Sequence, residues 1–175
     1  MAGLDPNEFN VVMLIFRVLF GLTFAAHGYA KMFRGGRIEG TAGWFDSMGM
    51  KPGRVHALLA SLTEMGSGVL LALGFLTPLA AAGIIGVMVV AGWTVHRSSG
   101  FFIVSNGWEY TFIVGLTAFV IAGLGPGDWS IDEQLGIAAD LNGFVGMAIA
   151  AILGIGAGIT QIALFYRPAP STADV

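Results

Sequence analysis

The stretch Arg17–Arg37, RVLFGLTFAAHGYAKMFRGGR, decides how this chain is read, because it sets Arg17, His27 and Lys31 inside a hydrophobic segment and leaves that segment through a basic run. From Val11 to Phe33 the segment is long enough to cross a bilayer, which takes about 20 mostly apolar residues. A charge at membrane depth costs roughly 2.5 to 3.5 kcal/mol on insertion scales, so Arg17 and Lys31 need a partner or a wet cavity. At about 1.5 Å per residue, Arg17 stands about 15 Å from His27, which puts Arg17 near mid-membrane and His27 and Lys31 near one face. Gly21 and Gly28 flank Phe24 on nearly the same side, forming a groove in which another helix can approach closely.

The composition agrees: 55% of the 175 residues are hydrophobic and 11% are charged, against roughly a quarter charged in a soluble domain. The expected fold class is an all-α membrane protein, a bundle of five transmembrane helices with short interfacial helices, in one integral domain. A net charge of −3 with scattered basic residues argues against nucleic-acid binding. The chain has no cysteine, which excludes thiol chemistry or an iron–sulfur cluster held by the chain itself.

The expected spans are 11–33, 55–76, 79–94, 109–124 and 143–166, with 167–175 as a disordered tail. Asp5-Pro6-Asn7-Glu8 reads as a helix cap with proline at the first helical position, and no basic residue precedes it, so the first span should be retained rather than cleaved as a signal. Between spans one and two, Trp44, Phe45 and Asp46 point to a short helix at the membrane surface. Ser130 and Glu133 have capping-box spacing, which predicts another surface helix from Ile131 to about Asp140. Gly154 and Gly158 in the last span form a G-x-x-x-G suited to tight packing. Lys31, Arg34, Arg37, Lys51, Arg54, Arg97 and Arg167 all fall on one side of five spans. The positive-inside rule makes that side cytoplasmic and leaves the N-terminus outside.

Spans one and two run antiparallel, and Arg17 and Glu64 reach similar depth when each is counted from its own end. A buried Arg17–Glu64 ion pair accounts for both, either as structural glue or as part of a functional site. The same topology gathers His27, Lys31, His96 and Glu109 from three helices into one polar pocket facing the cytoplasm. His56, beside Arg54 at a helix start, reads as solvated. No residue is assigned a catalytic role. Three chemistries compete for the pocket. Two histidines on facing helices could hold a b-type haem, but both lie close to the surface. A metal is not expected, since no H-x-x-x-H or E-x-x-H pair exists. A quinone headgroup would find donors in His and Lys and a proton acceptor in Glu, with small residues of span three leaving room for an isoprenoid tail.

Read as R-x-x-x-G-x-x-F-x-x-H-G-x-x-K, with Arg17, Gly21, Phe24, His27, Gly28 and Lys31 in place, the first span resembles that of the DoxX family of small bacterial membrane proteins. The resemblance continues through Glu64 and Gly74, His96 before Gly100-Phe101, Gly107-x-Glu109-Tyr110, and Gly125-Pro126-Gly127 leading to Ser130-x-Asp132. It departs at Asp128, where a basic or neutral residue is expected, and the fifth span lies outside the four-helix family core. The family's members are associated with redox systems, including a quinone-reducing thiosulfate oxidoreductase of some archaea and a mycobacterial complex with superoxide dismutase. What the resemblance implies is a multi-pass protein of the bacterial plasma membrane, with the lipid bilayer and protein partners around it. Two function classes follow: a membrane subunit of an oxidoreductase system, passing electrons or protons to quinone with no cofactor held in the chain, or a non-catalytic anchor or assembly subunit.

Overall fold

The computed structural model describes residues 5–168. They form α1 (Pro6–Phe33), α2 (Arg37–Ser47), α3 (Gly53–Leu73), α4 (Thr77–Ala91), α5 (Glu109–Leu124), α6 (Ile131–Gln134), α7 (Ala138–Leu141) and α8 (Gly143–Phe165). A π-helical turn over Gly92–His96 and a 3-10 turn over Arg97–Ser99 prolong α4 into a rod of 23 residues. α1, α3, prolonged α4 and α8 are each long and apolar enough to cross a membrane, and α5 is a shorter apolar helix of 16 residues. The fold is a helical membrane bundle.

The outside of the bundle is apolar, with many large hydrophobic side chains exposed. The inner face of α1 carries Asn10, Met13, Arg17, Gly21, Phe24 and Gly28, spaced by three or four residues, and all are buried. Its outer face carries Val12, Ile15, Leu19 and Leu22, each more than half exposed. Such a helix is stable only where its outside is as apolar as a core, which is the condition a bilayer supplies.

With no hydrophobic force driving helices together in lipid, close backbone approach has to do the packing. A Cβ added at Gly21 would strike the Gly68 carbonyl and the Ala72 backbone, and one at Gly28 would strike the Ser61 carbonyl and Met65. These contacts lock α1 against α3. A second seam joins α8 to α4 through Gly146, Ala150, Gly154 and Gly158, four buried small residues one turn apart. Gly154 lies against the Ala82 carbonyl and Ile85, and Gly158 against Val89. α5 packs on α4 and α8, and α2 lies across the N-terminal part of α3.

The N-terminus of α1 is closed by the expected capping box, with Asn7 N–H donating to Asp5 at 2.8 Å and Asp5 N–H to Glu8 at 3.2 Å. The same end of the bundle is acidic and is tied together by the loop before α6. Asp132 is fully buried; its carboxylate accepts from Leu76 N–H (2.7 Å), Thr77 N–H (3.0 Å) and the Thr77 hydroxyl (2.7 Å), capping α4 from a distant segment. Asp128, the residue that departs from the family pattern, exchanges two hydrogen bonds with Asn10, at 2.8 and 2.9 Å. An acid there matches the amide that faces it. The surface helix expected over 131–140 is instead two short pieces, α6 and α7, because Gly136 takes φ +69° between them.

At the opposite, basic end, the backbone after α8 pairs with the turn before α3: Arg167 N–H donates to the Gly49 carbonyl at 2.8 Å and Lys51 N–H to the Phe165 carbonyl at 3.4 Å. Arg167 therefore belongs to the fold and not to a disordered tail. The rest of that expected tail, 169–175, lies outside the described residues.

Candidate functional site

Between the α1–α3 pair and the α4–α5–α8 group, toward the basic end, lies a cavity of about 440 Å³. Its lining is mostly apolar, with Lys31, Glu64, His27 and His96 supplying ionisable groups. Lys31 Nζ stands 2.5 Å from both Glu64 oxygens; the Glu64 side chain is 3% exposed and the Lys31 side chain 27%. A buried carboxylate is tolerable at this depth because the ammonium lies across both of its oxygens. Thr41 on α2 donates its hydroxyl to the Lys31 carbonyl at 2.9 Å, so the surface helix also steadies the end of α1.

The expected Arg17–Glu64 pair is not formed. The reason is register. Gly21 faces Gly68 and Ala72, and Gly28 faces Ser61 and Met65, so Glu64 lies level with the turn around Gly28. Arg17 then stands beside Gly74, some ten residues or about 15 Å along the axis from Glu64. Equal counting from the two helix ends fails because the first turn of α3 reaches past α1 to rest on α2, where Gly53 N–H donates to Asp46 at 2.8 Å. Arg17 instead donates to the carbonyls of Ala72 and Trp129. Ala72 is in the last turn of α3, where carbonyls lack helical partners and the helix dipole favours a cation.

Of the four residues expected in one pocket, His27, Lys31 and His96 line it, and Glu109 does not. The Glu109 carboxylate accepts from Ile103 N–H at 2.8 Å and secures the loop before α5. That loop folds back, with Trp108 N–H on the Gly100 carbonyl and Glu109 N–H on the Phe101 carbonyl, and the resulting phase of α5 turns Tyr110 and Thr111 to the cavity instead. The carboxylate of the site is Glu64. His96 is delivered by the π-helical turn, and its Nδ1 lies 2.8 Å from the Asn106 carbonyl. A carbonyl only accepts, so Nδ1 carries the hydrogen and Nε2 is the nitrogen left for a ligand.

His56, expected to be solvated, is 1% exposed, packed edge-on against Phe165 at 4.9 Å between ring centroids. Gln161 donates its amide to His56 Nδ1 at 3.0 Å. Gln161 also lines the cavity, and sequence reading missed it. The available signal was that it is the one amide within α8, where an unpaired polar group is costly. Among the described residues, no three or more His, Cys, Asp or Glu side chains stand close enough to share a metal ion.

This is a multi-pass helical membrane protein with an ionisable pair set into an intramembrane cavity. Residues 12–97 match the DoxX family model, the match running from within α1 to just past the π-helical turn and including Arg17, His27, Lys31, Glu64 and His96. The chain is similar to the uncharacterized membrane protein Rv3486 of Mycobacterium tuberculosis, with 27% identity over 133 residues that cover 70% of this chain and 80% of the relative. No solved structure matches it.

Proposed function

We propose that the protein is the membrane subunit of an oxidoreductase system and that its cavity receives a quinone headgroup. The observation that carries this reading is the juxtaposition, in one largely apolar space of about 440 Å³, of an ammonium–carboxylate pair with two imidazoles. Quinone carbonyls need a donor, which Lys31 Nζ supplies, and a reduced quinone needs proton acceptors, which Glu64 and His96 Nε2 supply. The chain contains no cysteine, and the electrons are assigned to a partner protein at the basic end.

A short-tailed menaquinone or ubiquinone analogue is expected to raise the melting temperature of the purified protein, since a ligand at 100 times its dissociation constant stabilises by about 2.7 kcal/mol. His96→Ala should remove the shift, and Glu109→Gln, whose side chain serves the loop, should keep it. If a saturating analogue moves neither protein, or moves His96→Ala as far as the parent, the non-catalytic anchor takes the place of this reading.

The same reading sets the protein in the bacterial plasma membrane with the basic end in the cytoplasm. Single cysteines report it: Glu133→Cys should react with an impermeant thiol reagent in intact cells and Arg34→Cys should not. Reaction at Arg34→Cys alone would reverse the orientation.

A further inference from the structure

A second apolar space, a groove of about 910 Å³, lies between α4, α5 and α8. It shares Met88 and Thr111 with the ionisable cavity, so one thin partition divides the two. Neighbouring residues of α4 and its π-helical extension face opposite ways there: Ala91 and His96 line the cavity, while Gly92, Trp93 and Arg97 line the groove. The partition has little to hold it closed. Met88 turns about three bonds and vacates space readily. The Thr111 hydroxyl is already committed to the Trp108 carbonyl at 2.8 Å, so the polar group at the divide is satisfied. Gly92 adds no side chain, and a Cβ there would come within 3.0 Å of Thr111 Oγ1.

We infer that cavity and groove form one site for a long-tailed amphiphile, with the headgroup beside Lys31, Glu64 and His96 and a polyprenyl tail passing Met88 and Thr111 into the groove. This rests on the headgroup reading above and adds the class of ligand: a quinone recognised by its tail as well as its ring. Lipid chains are as apolar as the groove, so the tail gains from shape and close packing against α4 and α5, not from leaving water. The groove must therefore be sensitive to its own volume.

Gly115 on α5 offers the way to test it, because a Cβ added there meets only Met88 Cβ, at an ordinary 3.7 Å. Gly115→Leu should fold normally and fill the groove beside the partition. Two analogues with one headgroup, one bare and one carrying a geranyl tail, are titrated against the parent, Gly115→Leu, Met88→Phe and the lipid-facing control Ile152→Phe in the same detergent. Partition into micelles is then common to all four proteins. The expected result is a loss of about tenfold or more in affinity for the tailed analogue in Gly115→Leu and Met88→Phe, about 1.4 kcal/mol. The bare analogue should bind Gly115→Leu, whose side chain lies in the groove alone, as it binds the parent, and Ile152→Phe should change neither. If both analogues bind the parent and the two groove variants leave the tailed one unchanged, the tail site is overturned while the headgroup reading stands. If neither analogue binds the parent, both readings fall together.

Discussion

Replacing Lys31 by methionine should lower the unfolding free energy by about 3 to 5 kcal/mol, because it leaves the Glu64 side chain, 3% exposed, without a partner. Glu64→Leu alone should be damaging as well, stranding an ammonium at membrane depth. The double variant Lys31→Met/Glu64→Leu should recover most of the loss, since the desolvation of both ions disappears with them. The surface pair between Arg54 and Glu39, 3.5 Å apart and more than two-thirds exposed on both sides, provides the contrast: Arg54→Ala should stay within about 1 kcal/mol of the parent. A reversible unfolding titration in mixed micelles measures all four. Additive losses at Lys31 and Glu64, with no recovery in the double variant, would show that the two groups do not stabilise each other.

Arg17→Met should cost about 1 to 3 kcal/mol, because the part-buried carbonyls of Ala72 and Trp129 lose a charged donor. Its effect should extend to the loop carrying Trp129 and Asp132, where backbone amide exchange at Leu76 and Thr77 should quicken as their acceptor loses its support. Arg17→Lys, with one compact ammonium in place of a fork, can reach only part of this arrangement and should fall between. The cycle of Arg17→Met with Glu64→Leu separates this geometry from a direct ion pair. Groups about 15 Å apart with no shared partner should add within about 0.5 kcal/mol. A coupling of 2 kcal/mol or more would return Arg17 to Glu64.

The amino-acid sequence alone determined the class of the protein and the polarity of its ends. A bilayer imposes one-dimensional constraints: a run of apolar residues of fixed length, basic residues on one side, and small residues every fourth position where helices touch. Gly154 and Gly158 were legible for that reason, as were the Asp5 cap and the grouping of Arg34, Arg37, Lys51, Arg54 and Arg97. His27, Lys31 and His96 were legible as residues of one pocket because all three lie close to the same membrane face. What only the tertiary structure decided was which charge meets which. Lys31 rather than Arg17 reaches Glu64 because backbone contacts at Gly21, Gly28 and Gly68 fix the register of α1 on α3, and a shift of three turns is invisible to counting from the ends. Glu109 leaves the site, and Tyr110 and Thr111 enter it, because the folded loop before α5 sets the rotational phase of that helix. His56 is buried because the end of α8, distant in sequence, folds over it with Gln161 and Phe165. Depth in the membrane is written along the chain, whereas register and phase arise from contacts between residues far apart in it.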